Sequence, residues 1–224
     1  MPAPQTRTEP VALLVLTLAA LIWSGIQPYD RLTWWLEVAP VLIALPILVA
    51  TFHRHALSPL AYRLICLHAL ILIVGGHYTY ARVPAGMWLQ DAFDLARNHY
   101  DRLGHIAQGF VPAILAREIL LRATPLVRGI WLNVLVVCVC MAISAVYELI
   151  EWLAAIVSQE AAESFLGTQG DNWDTQWDMF LALCGALAAL LLTRAHDRSM
   201  AGAGIRTTPR PEADPTPAAV GPGR

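Results

Sequence analysis

The sequence predicts an all-α fold: a polytopic integral membrane protein built as a bundle of six transmembrane helices. Two observations predict this class. Hydrophobic residues make up 57% of the 224 positions and charged residues only 14%, whereas ordinary soluble domains carry about 25% charged residues. The apolar residues are also grouped in blocks long enough to cross a bilayer, which takes about 20 residues per helix. A single soluble core would not need so much apolar sequence.

The membrane-spanning segments form one predicted domain, residues 1–195. The predicted spans are residues 11–26, 34–52, 59–81, 103–121, 129–157 and 175–194. The remaining segment, 196–224, is rich in Pro and Gly and poor in apolar residues. This composition predicts a disordered cytoplasmic tail.

The fourth predicted span is the least apolar, because Arg117 and Glu118 interrupt it. The distribution of arginines between the loops does not distinguish six spans from five. A five-span chain would leave residues 82–128 as an unusually long loop without regular structure. Six spans would also place every tryptophan except Trp131 on one side, as an interfacial belt. We therefore expect six spans, with both termini in the cytoplasm.

Polar side chains in this topology gather at the extracytoplasmic side of the membrane. Residues three or four apart share a face of a helix, and three sets have this spacing. The sets are Asp101, His105 and Gln108; Ser144, Glu148 and Glu151; and Asp174 and Asp178. Each set predicts one polar stripe on its helix, and the stripes predict an Asp/Glu/His pocket that opens to the extracytoplasmic face.

Ionisable residues at membrane depth are costly and mark functional sites by default. Glu148 and Glu151 would repel each other if both were charged, so either one holds a proton or a cation lies between them. The candidate cations are Arg102, His105, His77 and a divalent metal ion. The candidate catalytic residues are Asp101, His105, Glu148, Glu151 and Asp178. The last four of these are also candidate ligands for Zn, Mn or Mg.

Structural roles for the same residues stay open at this point. Asp101 is placed to cap a helix, with His105 hydrogen bonded to it one turn later. The two glutamates could instead form an ion pair with Arg102 or share a proton with His105. Asp174 is likewise placed to cap the last span. No HExxH or similar metal signature supports the metal hypothesis.

Four stretches of the sequence resemble the YjdF-type family of bacterial inner-membrane proteins. These stretches are "HYTYARVP" from residue 77, "WLQDAFDLARNHYDRLGHIAQGFVPAILAREILLR" from 88, "AISAVYELIEW" from 142 and "FLGTQGDNWDTQWDM" from 165. The resemblance covers most of residues 60–194 and implies a multi-pass inner-membrane protein. It implies no reaction.

A more distant resemblance is to the VanZ-like envelope proteins. Their pattern has an Asp, a His four residues later, a Glu in a later helix and an Asp at the start of the last helix. Asp101, His105, Glu148 or Glu151, and Asp178 occupy those places, although the Gln expected after the Glu and the Asn expected after the final Asp are missing. VanZ-like proteins are associated with glycopeptide-antibiotic resistance, so this resemblance implies a role in the cell envelope.

Three functions are consistent with these observations. The first is an envelope-directed enzyme or binding protein for a lipid or lipid-linked substrate, which a lateral opening between helices would favour. The second is a small cation- or proton-coupled transporter, which requires a polar path to the cytoplasmic side. The third is a structural membrane scaffold. The lipid bilayer is the expected partner, and the absence of a basic stripe argues against nucleic acid.

Overall fold

The computed structural model describes residues 8–157 and 168–207, and the regular structure in these ranges is helical throughout. Short 3₁₀ turns follow α3 and α7, at Tyr80–Arg82 and Leu190–Leu192. We number the α-helices in chain order. They are α1 (Thr8–Ser24), α2 (Arg31–His55), α3 (Pro59–Tyr78), α4 (Pro84–Phe93), α5 (Tyr100–Ala123), α6 (Ile130–Val157), α7 (Asp174–Ala189) and α8 (Thr193–Gly202).

Four of these helical segments are long and apolar enough to cross a membrane. They are α2, α3, α6 and the continuous segment Asp174–Gly202, which joins α7 to α8. Helix α1 is apolar but shorter, with 17 residues, and α5 carries charged residues along its length. The protein is therefore a helical membrane protein, and its six-span count stays a prediction.

Helix α5 is the central helix of the bundle. It packs against α3, α6 and α7, and it contributes buried residues on every turn from Asp101 to Leu121. Because neighbouring helices cover it, its polar side chains contact protein instead of lipid, which lowers the cost of placing them at membrane depth. This explains why α5 has the weakest hydropathy signal of the predicted spans.

Helices α5 and α7 approach each other closely enough for their backbones to touch. A Cβ atom at Gly109 would overlap the carbonyl of Ala182, and one at Gly185 would overlap the carbonyl of Ile106. Small residues permit this kind of approach between membrane helices. The contact holds α7 against the first half of α5, and Asp178 lies 3.7 Å from His105.

The segment that leads into α5 is fixed by Asn98, which is fully buried. The Asn98 side-chain amide donates to the carbonyls of Ala81 and Val83, and its Oδ1 accepts from the Tyr100 backbone N–H. Gln169 exchanges two hydrogen bonds with the Asn98 backbone, at 3.0 Å each. The start of α5 is thus tied to the residues just before α7.

The other end of the bundle is held by a buried network of charged side chains. Glu118 is 0% exposed and accepts hydrogen bonds from Arg122 and from the Ser58 backbone, while His196 contacts it at 3.0 Å. Arg117 pairs with Asp197 at 2.9 Å. His196 and Asp197 belong to α8, so ordered structure continues past residue 195, where the sequence prediction ended the membrane domain. Residues 208–224 of the predicted tail lie outside the described residues.

Candidate functional site

The three predicted polar stripes meet at one end of the bundle, which we call the polar end. It is formed by the first turns of α2, α5 and α7 and the last turns of α3 and α6. All five candidate catalytic residues are buried there, with side chains from α5, α6 and α7. Their exposed fractions are 8% for Asp101, 5% for His105, 7% for Glu148, 8% for Glu151 and 2% for Asp178.

His105 lies at the centre of this group, and its two ring nitrogens face different partners. On one side, Nε2 lies 3.4 Å from Asp101 Oδ1 and 3.7 Å from Asp178 Oδ1. On the other side, Nδ1 lies 3.2 Å from Gln108 Oε1 and 3.8 Å from Glu148 Oε1. With its proton on Nδ1, His105 donates to Gln108 and keeps the Nε2 lone pair directed at the two aspartates.

Several oxygen atoms around His105 are buried and have no hydrogen-bond partner in the described part of the chain. They are Glu148 Oε1, Asp178 Oδ1 and Ser144 Oγ. The other side of the Glu148 carboxylate is bonded by the Thr175 side chain. Buried carboxylate oxygens are normally hydrogen bonded or paired with a cation. The unpaired oxygens therefore indicate a missing proton donor or cation between α5, α6 and α7.

Asp101, His105 and Asp178 can each direct one ligand atom to a common point, since these atoms lie within 4.8 Å of one another. Ligand atoms in a tetrahedral zinc centre are about 3.3 Å apart, so a small side-chain adjustment would close the group around an ion. Glu148 lies on the Nδ1 side of the imidazole and Glu151 lines the neighbouring cavity. The geometry thus brings Asp101, His105 and Asp178 together, whereas Glu148 and Glu151, the other two predicted ligands, lie beside this group.

A second carboxylate group lies beside Glu151 and was not predicted from the sequence. Glu37 of α2 is 3% exposed; the Tyr147 hydroxyl donates to its Oε2 at 3.1 Å, and Tyr80 also bonds to it. The signal was present, because Glu37 is an acidic residue inside an apolar run. Its position near the start of the predicted span makes this signal weak, because a charge there reaches water easily.

Arg97 neutralises the acidic residues at the rim of the site, near the starts of α5 and α7. It was not among the cations predicted from the sequence. It pairs with Asp174, with Asp171 at 3.5 Å and with Asp101 at 3.9 Å. Arg102 contacts Asp171 at 3.3 Å and does not pair with the glutamates. The pKa of the nearby His99 is lowered by partial burial and by the positive charges of Arg102 and Arg97. His99 is therefore neutral at pH 7.

The capping roles considered for two aspartates are not observed. The N-cap residue of α5 is His99 and that of α7 is Trp173, and neither end shows a side-chain capping hydrogen bond. Asp101 and Asp174 lie inside the first turns and face Arg97. His77 is also remote from the acidic group, since its Nδ1 contacts the Ser24 carbonyl and its ring packs on Trp23.

A cavity of about 750 Å³ begins at the polar end and continues between the helices. Its polar end is lined by Glu37, Asp101, His105, Tyr147 and Glu151, and most of its remaining wall is apolar. The helices that line it are α1, α2, α3, α5 and α6. Ile43, Ile47 and Ile150 belong to this wall and are 48–62% exposed. The cavity therefore opens sideways, between α2 and α6.

Comparison with known proteins places the chain in a family. Residues 9–198, which include every residue of the site, match a family described as predicted membrane protein DUF2238. The chain belongs to the DUF2238 family. One relative in this comparison is the inner membrane protein YjdF of Escherichia coli strain K12, which is 53% identical over 195 residues, covering 87% of this chain and 93% of the relative. No solved structure matches the chain.

The DUF2238 assignment confirms the predicted resemblance to YjdF-type proteins and the membrane class. The family description agrees with the helical membrane fold and gives no substrate. The more distant resemblance to VanZ-like proteins stays a prediction. The features of this chain that bear on its function are the group around His105 and the cavity beside it.

Proposed function

We propose that this DUF2238 protein is an envelope-directed metalloprotein that binds or modifies a lipid or lipid-linked substrate at the outer side of the inner membrane. The observation that carries the proposal is the junction between two features. A buried Asp/His/Asp group with unpaired carboxylate oxygens adjoins an apolar cavity that is open to the bilayer. The group fits a polar headgroup and the cavity fits a hydrocarbon chain.

The proposed metal ligands are Asp101, His105 through Nε2, and Asp178. Two carboxylates and one imidazole suit Zn²⁺ or Mn²⁺. Catalytic metal centres commonly use three protein ligands and keep a position for water or substrate. A bound divalent ion would supply Lewis acidity and a place for a substrate oxygen. Glu148, on the opposite side of the imidazole, is the residue we assign to proton transfer.

The wall of the cavity favours a lipid ligand over an ion path. Towards the end away from His105 it consists mainly of hydrocarbon side chains such as Leu14, Leu45 and Leu48. A proton or cation relay needs polar groups at hydrogen-bond spacing along its whole length. This apolar wall would instead pack against a hydrocarbon chain. Transport and a purely structural role are the alternative functions if the experiment below contradicts the proposal.

Metal analysis of the purified protein tests the centre. After loading with Zn²⁺ or Mn²⁺ and removal of free metal, we expect about one tightly bound ion per chain. Asp178→Asn removes a ligand and should lose most of this ion. Asp171→Asn is the matched control, because Asp171 contacts Arg97 and Arg102 at the rim. Glu151→Gln should retain the ion, because Glu151 lies outside the ligand group.

The lipid part of the proposal is tested on the same preparations. After delipidation and incubation with a bacterial lipid extract, native mass spectrometry should show a lipid adduct on the wild-type protein. Ala44→Trp fills the middle of the cavity and should remove the adduct. A protein that binds neither metal nor lipid, although correctly folded, would contradict the proposed function.

A further inference from the structure

The cavity is long and narrow, and its length limits the ligands that would fill it. Along α2 its wall extends from Leu36 to His53, which is about 26 Å at about 1.5 Å per residue. The volume of about 750 Å³, spread over that length, gives a cross-section of about 30 Å². This average section is closer to that of one extended hydrocarbon chain than to that of two.

The cavity is also deeper than one leaflet of the bilayer. The hydrocarbon core is about 30 Å thick, so each leaflet contributes about 15 Å. The far part of the wall is formed by the beginning of α1, with Pro10, Val11 and Leu14, and by Phe52 near the end of α2. An acyl chain of an ordinary phospholipid ends near the middle of the bilayer and would leave this part empty. A chain longer than one leaflet would fill it.

The charges at the polar end restrict the headgroup. The carboxyl groups of Asp101, Glu37 and Glu151 line the cavity there together with His105, so a phosphate needs a cation to bind beside them. A divalent ion held by Asp101, His105 and Asp178 would offset the charges of the two aspartates and supply a coordination position for a phosphate oxygen. The Tyr80 and Tyr147 hydroxyls at the same end are hydrogen bonded to Glu37.

We infer that the ligand is a single-chain polyprenyl phosphate, with the phosphate on the metal ion and the isoprenoid chain extended through the cavity towards Phe52. This inference rests on the proposed function and deepens it by naming the lipid class. The long chain distinguishes this ligand from diacyl phospholipids, and the phosphate distinguishes it from neutral isoprenoids. A longer isoprenoid chain contacts more of the cavity wall, so the affinity of the protein for the lipid should increase with chain length.

The test uses the full-length metal-loaded protein in detergent micelles and three probes: undecaprenyl phosphate, farnesyl phosphate and dipalmitoyl phosphatidate. We expect undecaprenyl phosphate to bind about tenfold or more tightly than either other probe. Leu48→Trp blocks the far half of the cavity and should abolish this preference, while farnesyl phosphate binding stays within about twofold. Removal of the metal should weaken both phosphates. Ile119→Trp, on an exposed face of α5 outside the cavity wall, is the control for added bulk.

The outcomes separate this inference from the function on which it rests. Equal binding of the long and short chains, or no effect of Leu48→Trp in a protein with unchanged Tm, would overturn the chain-length inference and leave a metal-dependent lipid site standing. Tighter binding of dipalmitoyl phosphatidate would overturn it in favour of a diacyl lipid. Failure of every probe on a metal-loaded, folded protein would contradict the proposed function itself.

Discussion

His105 holds the candidate site together through the different roles of its two nitrogens. Gln108 Oε1 lies 3.2 Å from Nδ1, three residues later on the same helix, so the geometry of α5 itself orients the ring. Asp101 and Asp178 then face Nε2. Partners of this kind, which bond a ligand histidine without touching the metal, fix its tautomer and tune metal affinity.

Replacing Gln108 should therefore weaken metal binding without removing any ligand. We expect Gln108→Met to lower the affinity for Zn²⁺ by about 10–100-fold, because the Nδ1 proton loses its acceptor and the ring can turn. Gln108→Glu restores a carboxyl oxygen at the same place and should recover the affinity. Competition with a chromophoric chelator measures both variants. An unchanged affinity in Gln108→Met would show that Gln108 does not position His105.

Residue spacing predicted most of this group, and the reasons for its gaps are physical. The i, i+3 and i+4 rules placed Asp101, His105 and Gln108 on one face, and the buried stripe of α6 does include Ser144, Glu148 and Glu151. Spacing cannot tell which nitrogen of His105 faces which helix. In the structure Asp101 lies on the Nε2 side of the ring and Glu148 on the Nδ1 side. Contacts such as Glu37 to Tyr147 join residues 110 positions apart, and no local pattern reports them.

The pairing of α5 with α7 sets the distance between His105 and Asp178. Small residues such as Gly185 permit close packing between membrane helices, but the sequence alone does not identify the partner helix. In the structure Gly185 and Gly109 let the two backbones touch. The neighbours that a new Cβ would meet are backbone atoms, which cannot rotate away. Any side chain at these positions must separate the helices.

A larger residue at Gly185 should damage both the fold and the site. We expect Gly185→Leu to lower the free energy of unfolding by more than about 3 kcal/mol, beyond the usual cost of overpacking, and to abolish metal binding. Gly129→Leu is a matched control, because a Cβ at Gly129 has no neighbour within 4 Å. The control should change stability by less than about 0.5 kcal/mol. Thermal unfolding in detergent measures both, and equal Tm values for the two variants would contradict the close contact.

The whole molecule has a polar group at each end, and the two differ in kind. At the polar end, carboxylate oxygens of Glu148 and Asp178 lack partners. At the other end, the carboxylate of Glu118 is bonded by Arg122, Ser58 and His196. Complete pairing is typical of a structural network, whereas unpaired buried groups are typical of binding sites. Arg117 Nε and Asp197 Oδ1 at this other end also lack hydrogen-bond partners, so incomplete pairing alone does not distinguish the two ends. The polar end differs because three of its side chains can direct ligand atoms to a common point.

The number of spans is the main whole-molecule prediction that remains to be measured. If α5 crosses the membrane, residues 95 and 126 lie on opposite sides of it. Fusion of alkaline phosphatase after Leu95 should then give an active, extracytoplasmic enzyme, and fusion after Leu126 an inactive one. A five-span chain would place both fusion points on the same side and give equal activities. A fusion at the C-terminus, expected in the cytoplasm, is the reference for inactivity.

The position of Asp178 in the chain has a consequence for how the protein is made. Asp101 and His105 leave the ribosome long before α7, which carries Asp178 and is the last long apolar helix before α8. Until α7 inserts and its Gly185 closes against Ile106, the two earlier residues lack the third member of their group. The metal site that we propose would therefore be completed only when synthesis of the helical bundle is almost finished, and a chain truncated before α7 would lack it.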